Sequence, residues 1–400
     1  MAVAESKTQR RTYKYRINPN KTTVKWLEQT FETHRRLYND ALAWHIHEYE
    51  VYGNEPAFKC STFYDQRNAY AKRRHTNPFM QRCTSDSLWL TIDRLDKAFK
   101  SFFKRAKKGG PPGFPRFKGR DQLDSIAFPR NTNQPKVGTS FKGLNITPPE
   151  DGEKKGRCKF TIMEAGKVVG HHVARVVWHR PLPDGNKIKQ ASIVREGNKW
   201  FVCLSMEVPE PVKSCGQGTV GVDVGLKEFL VTSDGDTMGS TRHLEDNLKD
   251  LRVRQRALSR KTNKRSNRRR KAREHVARLH RKVANCRKHE QFNVAKQLFD
   301  RYETVAVEDL NVKGMMQNGR LARRIADAGW YSFRLKLEST AAKRGGKVIA
   351  VAPHNTSQDC SGCGTKVPKS LSVRTHECPH CGLTMDRDQN AAVNIARKAQ

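Results

Sequence analysis

Apolar and polar residues change their rhythm several times along the chain, and each change marks a different kind of element. Thr12-Tyr-Lys-Tyr-Arg-Ile17 alternates as a strand does, and Asn18-Pro19-Asn20 ends it. Val24, Leu27, Phe31, Tyr38, Leu42 and Tyr49 then recur at helical spacing and predict a long helix. A second helix is predicted from a Thr84/Ser85 cap to about Lys107, because Leu88, Ile92, Leu95, Phe99 and Phe102 share one face. Lys107-Lys-Gly-Gly-Pro-Pro-Gly113 stops it. From Phe114 to Glu210 the chain turns to short runs of Val, Ile, Phe and Trp broken by Gly, Pro and Asn, the pattern of an antiparallel β-barrel. The first half therefore reads as an all-β module with a helical insertion.

At Gly218 the pattern changes again. Thr219-Val-Gly-Val-Asp-Val-Gly225 and Glu228-Phe-Leu-Val-Thr232 flank a tight turn and predict a hairpin. Leu244, Leu248, Leu251 and Leu258, then Val276, Leu279, Val283 and Cys286, predict two antiparallel helices packed along their apolar stripes. Thr304-Val-Ala-Val-Glu308 reads as a buried strand, Trp330 to Arg344 as a helix closed by Gly345-Gly346, and Lys347 to Ala352 as another strand. Strands and helices alternate here, so the second half is α/β.

Composition adds a partner. Against 40 Asp plus Glu stand 77 Lys plus Arg, a formal charge of +37 over 400 residues. Such self-repulsion is tolerated mainly when a polyanion screens it, so nucleic acid is expected. A chain this long can bury more than one core without disulfides. Met1 to Arg16 holds no secretory signal and no run approaches twenty apolar residues, which excludes a membrane span and predicts a cytoplasmic protein.

The cysteines carry the first specific chemistry. Cys360-x-x-Cys363 is followed after fourteen residues by Cys378-x-x-Cys381, with Gly364 and Gly382 directly after the pairs. Two such loops supply four thiolates, enough to close a tetrahedron around Zn²⁺ and leave no position for water, so one structural zinc is expected. His376 and His380 lie nearby but are not needed as ligands. Cys60, Cys83, Cys158, Cys203, Cys215 and Cys286 are scattered and read as small packing residues.

Three carboxylates carry the second. Asp223 points away from Val220, Val222 and Val224, and Gly221 and Gly225 clear space beside it, so something large is expected to approach that face. Glu308 ends the apolar strand Val305-Ala306-Val307, and Asp388 opens Asn390-Ala-Ala-Val-Asn-Ile395, where a helix cap is the plainer explanation. Together, three acids on an α/β scaffold in a basic protein fit a pair of oxygen-ligated Mg²⁺ ions.

With these residues in view, the chain resembles the TnpB family of insertion-sequence proteins, related to the type V CRISPR effectors. The resemblance covers nearly the whole chain. It rests on Tyr13-Lys-Tyr-Arg-Ile-Asn-Pro19, Arg36-Leu-Tyr-Asn39, Gly113-Phe-Pro-Arg-Phe-Lys118, Gly221-Val-Asp-Val-Gly225, Asp327-Ala-Gly-Trp330, the cysteine pairs and Asp386-Arg-Asp-Gln-Asn-Ala-Ala392. It implies an α+β multidomain protein whose RuvC-type, RNase H-like nuclease domain occupies 213–354 and 384–400, with a zinc ribbon at 355–383. It further implies a β-barrel wedge domain at 1–18 and 112–212 and a helical recognition domain at 19–111. Asp223, Glu308 and Asp388 match the family's three acids. Asp386 is the neighbour that competes for the third place; Asp388 is preferred because the family's acid immediately precedes x-Asn-Ala-Ala. A guide RNA derived from the transposon end, and double- and single-stranded DNA targets, are the implied partners, with a monomer on its guide favoured.

Nucleic-acid contacts are expected where cations crowd. Between Arg252 and Lys288 lie seventeen Lys or Arg and one acid, Glu274, too few acids for internal pairing. Arg265, Arg268, Arg269, Arg270, Lys271 and Arg273 are the chosen candidates there, and charge does not decide between RNA and DNA. Lys107, Lys108, Arg116 and Lys118 are the candidates near the wedge, where Phe114 and Phe117 either stack on bases or fill the core. Three functions fit these features: an RNA-guided DNA endonuclease, a nuclease-inactive RNA-guided regulator, which would need a broken triad, and a transposase acting directly on DNA ends.

Overall fold

The computed structural model describes residues 8–55, 58–111, 113–120, 122–130, 140–149, 155–183, 188–211, 213–239, 242–370 and 373–400. The start of the expected wedge domain, 1–7, and its boundary residues Pro112 and Val212 lie outside these. Two compact units divide the chain, at 1–209 and 210–400.

In the first unit, strand β1 (Thr8–Asn18) leads into helices α1 (Lys21–Tyr52), α2 (Phe63–Arg74), α3 (Pro78–Gln81) and α4 (Ser85–Lys107). Strands β2 (Ser125–Pro129), β3 (Ser140–Phe141), β4 (Leu144–Thr147), β5 (Lys155–Glu164), β6 (Lys167–Val177), β7 (Ile188–Glu196) and β8 (Lys199–Pro209) follow. The eight strands form one antiparallel sheet in the order β2-β7-β8-β1-β6-β5-β4-β3. Its two edge strands meet through the bridge Arg130↔Phe141, so the sheet returns on itself. Alternation puts Trp200, Val202, Leu204, Met206 and Val208 of β8 inside with Tyr15, Ile17, Phe160 and Val176.

The four helices lie in sequence between β1 and β2 and hold a core of their own. Leu37, Tyr38, Ala41 and Leu42 of α1 pack with Tyr70 of α2 and Leu88, Ile92 and Leu95 of α4. Asn20 caps α1 by accepting from the Thr23 amide at 2.8 Å. Thr84 sits at the cap of α4, but its side chain makes no capping bond.

In the second unit, β9 (Thr219–Val224), β10 (Leu230–Thr232) and β11 (Thr237–Met238) form the antiparallel part of a five-stranded sheet. After α5 (Leu248–Ser259) and α6 (Asn267–Arg301), strand β12 (Thr304–Glu308) pairs parallel with β9. Helices α7 (Val312–Met315), α8 (Ala322–Ala328) and α9 (Trp330–Arg344) lead to β13 (Lys347–Val351), parallel to β12. The hairpin β14 (Thr375–Glu377) and β15 (Thr384–Asp386) and helix α10 (Arg387–Lys398) complete the chain. The sheet order is β11-β10-β9-β12-β13. Val220 and Val222 face Val294, Leu298 and Phe299 of α6 and Phe333 and Leu337 of α9. Helix α10 covers the opposite face, where Ala306, Val351 and Ile395 are buried together. A parallel core with helices on both faces is the two-sided burial that apolar strands such as Thr304-Val-Ala-Val-Glu308 require.

Candidate functional site

Asp223 lies on β9 and Glu308 at the end of β12, neighbouring strands in the sheet. Asp388 reaches the same place from the first turn of α10. What lets α10 in is Gly221. A Cβ there would stand 1.9 Å from the Ala392 carbonyl oxygen and 2.6 Å from the Ala396 amide, so any side chain would push the helix away. The large body expected beside Asp223 is thus, at Gly221, the protein's own helix. At Gly225 the close neighbour is likewise backbone, the Glu228 carbonyl oxygen.

Burial and charge act together on Asp223. Burial raises the Asp223 carboxyl well above the ordinary range, and the charges of Glu308 and Asp388 raise it further, against the opposing pull of Arg387. Burial also raises Glu308, while the Thr356 hydroxyl, donating at 2.5 Å, and Lys398 favour its charged form. Asp388 accepts from Arg374 at 3.2 Å and from Arg387 at 2.9 Å. Among the described residues the three acids do not bring their oxygens within 4.8 Å of one another, as the four cysteines do. A wider carboxylate cluster in which Asp223 and Glu308 resist ionisation suits cations placed between its members.

Asp386 has a different task. Its carboxylate accepts from the amides of Asp388 at 2.8 Å and Gln389 at 3.2 Å, so it caps α10. The cap that made Asp388 ambiguous in sequence belongs to its neighbour. Sequence reasoning missed the second layer around these acids. Asn390 accepts from the Ser361 amide at 2.9 Å and donates to the Asp359 carbonyl at 2.8 Å, and Asn394 donates to the Thr356 and Asp359 carbonyls at 2.9 and 2.7 Å. Two buried asparagines thereby fasten α10 to the segment carrying Thr356 and the first cysteine loop. The available signal was two amides one turn apart on an otherwise apolar helix face. Asp327 likewise accepts from the Leu244 amide at 2.8 Å and pairs with Arg287, joining the start of the basic helices to α8.

Cys360, Cys363, Cys378 and Cys381 bring four sulfurs within 4.8 Å of one another, a cluster compatible with structural zinc. Gly364 and Gly382 adopt φ of +77° and +73°, the left-handed geometry that a knuckle turn needs. The Thr365 hydroxyl and amide pull the Cys363 thiol down to about 6. The Leu383 amide acts in the same direction on Cys381, yet the neighbouring cysteines push that thiol up to about 12. Four cysteine sulfurs so close suit a cation placed between them. His376 is buried against Lys369 and His380 is exposed, and neither joins the cluster.

Cation placement divides the expected nucleic-acid contacts. Arg265, Arg268, Lys271 and Arg273 are exposed around the start of α6. Arg269 instead donates to the Leu258 carbonyl at 3.3 Å and to that of Lys261, tying the turn between α5 and α6, and Arg270 pairs with Glu274 at 3.0 Å. In the first unit, Lys107, Lys108 and Arg116 are exposed. Lys118 is held by its backbone, which donates to Asn39 at 2.7 Å and accepts from Arg35 and Asn39 at 2.8 and 2.9 Å. Phe114 packs edge-on against Phe99 and Phe102, whereas Phe117 is 52 % exposed.

Comparison with known proteins converges on one family. Residues 201–319 match a family model described as "Probable transposase", 330–395 one described as "Cas12f1-like, TNB domain", and 9–54 one described as "Helix-turn-helix domain". The last span folds here as β1 and the single long helix α1. InsQ of Escherichia coli (strain K12), provisionally named an RNA-guided DNA endonuclease, is 30% identical over 329 residues, covering 78% of this chain and 73% of InsQ. A Streptomyces pristinaespiralis protein provisionally given the same function is 29% identical over 397 residues, covering 96% of this chain and 88% of its own. The solved structure of a Cas12f1-sgRNA-target DNA complex superposes with a TM-score of 0.60 at 16% identity, over 94% of this chain and 83% of that one, so the fold is Cas12f-like. The chain belongs to the TnpB family of transposon-encoded proteins.

Proposed function

We propose that this protein is an RNA-guided DNA endonuclease of a transposon, working in the cytoplasm and cutting DNA by two-metal phosphodiester hydrolysis. The observation that carries this reading is the convergence of Asp223, Glu308 and Asp388, held by three separate elements, on one end of an α/β sheet. The names of the relatives, and the guide RNA and target DNA in the similar complex, support the same reading.

In this reading 213–354 and 384–400 form a RuvC-type, RNase H-like nuclease domain interrupted by a zinc ribbon at 355–383. The closed sheet is the wedge domain, split between 1–18 and 112–212, and the four helices between its first two strands, within 19–111, are the recognition domain. Asp223, Glu308 and Asp388 would hold two Mg²⁺ ions. The chemistry supplied by ions bound there is activation of the attacking water and stabilisation of the leaving 3′ oxygen. Thr356 fixes the Glu308 carboxylate, and Arg374 and Arg387 sit where they can meet a phosphate approaching Asp388. The exposed cations of α6 and of the segment after α4 hold RNA and heteroduplex by their backbones, so sequence is left to base pairing and to a short flanking motif.

Replacing the terminal segment of the guide and offering DNA that matches it beside the native motif tests this directly. In Mg²⁺ cutting should move to the new target, and EDTA should abolish it. The description "Probable transposase" favours a second reading, direct action on DNA ends. Cutting that stays at the transposon end whatever RNA is present establishes that reading and overturns the first.

A further inference from the structure

Among the described residues, away from the acids and the four cysteines, one more group of metal-ligating side chains converges, in the helical part of the first unit. His45, Glu48 and Cys60 place an imidazole nitrogen, a carboxylate oxygen and a thiol sulfur within 4.8 Å of one another. His45 and Glu48 are one helical turn apart on α1, so both project from one face, with His45 Nδ1 4.0 Å from Glu48 Oε2. Cys60 comes from the segment that leads into α2. The first two are largely sheltered, with side chains 15% and 18% exposed.

The surroundings fix these donors without consuming them. The Trp44 indole donates to Glu48 Oε1 at 2.7 Å and the Ser61 amide to Oε2 at 3.0 Å, with the Ser61 hydroxyl on Oε1 as well. Hydrogen bonds of this kind orient a ligating carboxylate. The His45 ring is held edge-on to Phe99, with centroids 4.9 Å apart. Among the described residues neither the His45 nor the Cys60 side chain has a hydrogen-bond partner, so the nitrogen and the sulfur keep lone pairs for a cation.

We propose that His45, Glu48 and Cys60 form a second transition-metal site, suited to Zn²⁺, that clips the 58–61 segment to α1. The mixed nitrogen, oxygen and sulfur donors favour zinc over Mg²⁺ or Ca²⁺. On binding, the thiol proton of Cys60 passes to solvent and the S–Zn bond forms; thiolate and carboxylate then balance the dication. Three protein ligands leave a fourth position to water. Such a site binds more weakly than the four-cysteine cluster and fills after it. Its position just before the Thr62/Asp65 capping box of α2 makes the metal an anchor for that helix.

The experiment uses the full chain carrying Asp223→Ala, which removes the carboxylate centre as a competing site, dialysed so that only tightly held zinc remains. Calorimetric titration with Zn²⁺ should show one further equivalent, and Co²⁺ in its place should give the absorption of a single thiolate-to-metal bond. His45→Ala and Cys60→Ser, added separately and checked for unchanged circular dichroism, should each weaken that equivalent by on the order of tenfold or more. Cys60→Ser should also erase the cobalt band. Absence of a further equivalent, or its retention at unchanged affinity in either variant, overturns the site.

Discussion

Asp223 sits where the fold disfavours its charged form. Burial and two neighbouring carboxylates raise its proton affinity, so its contribution to folding is favourable while it is protonated and is lost as pH rises through the raised folded-state value. In EDTA, Asp223→Asn should therefore melt higher than the natural protein, by a margin that widens between pH 5 and pH 8. Thermal melts in which the two proteins track each other at both pH values would contradict this. The same charge that destabilises the fold is what a divalent cation needs, so Asp223→Ala, Glu308→Ala and Asp388→Ala should each reduce cleavage to background and leave guide binding in place. Asp386→Ala should differ in kind, since it removes a cap worth about 1 kcal/mol and no ligand. A gel assay of cutting beside a filter assay of RNA binding separates these outcomes; full activity in any of the first three variants would remove that acid from the centre.

At the scale of elements, the centre depends on how closely α10 approaches β9. Gly221→Ala sets a methyl group against the backbone of Ala392 and Ala396, contacts that no rotamer can relieve, and overpacking of this kind costs about 1–3 kcal/mol or more. It should lower the stability of the second unit and cutting together while leaving all three acids present; normal cutting would mean that α10 tolerates displacement. Cys363→Ala acts from the other side. It should release one zinc equivalent, measured by metal analysis, and forfeit part of the roughly 10–16 kcal/mol that structural zinc supplies to small domains. A variant that keeps its zinc and its melting behaviour would exclude that role. These elements differ in how well the sequence announced them. The strands Thr219–Val224 and Thr304–Glu308, helix α4 and the cysteine pairs were legible because strong periodicity or fixed spacing signals them locally. Helix α2 is not signalled by periodicity because its apolar stripe is thin, with Gln66 and Tyr70 its buried residues, although the Thr62/Asp65 box marks its start. Helix α6 runs to Arg301, well past the last apolar position used to predict it, because its final turns pack on the sheet rather than on α5. The three acids could be nominated from sequence, but Thr356, Arg374, Asn390 and Asn394 could not be placed beside them, since those contacts join segments that only the tertiary fold brings together.

For the whole molecule the dominant fact is a formal charge of +37, and its distribution decides whether it binds or is merely solvated. Ordinary solvated helices pair cations with acids at i,i+4, whereas the 252–288 stretch has Glu274 as its only acid and commits it to Arg270. Arg265, Arg268 and Lys271 remain exposed at the start of α6, within a few residues of one another, as phosphates along a backbone would require. If they hold RNA, each neutralises a phosphate and releases a counterion. Replacing all three with Ala should then flatten the plot of log affinity against log salt by roughly 0.7–0.9 per lost contact, or about 2–3 in total. Arg269→Ala should behave otherwise, because that side chain ties the turn between α5 and α6, and its loss should loosen the pair with little change in slope. Titrating guide RNA at several salt concentrations reads both effects. A triple variant whose slope equals that of the natural protein would make this stripe a solvated face and move the RNA-binding surface elsewhere on the molecule.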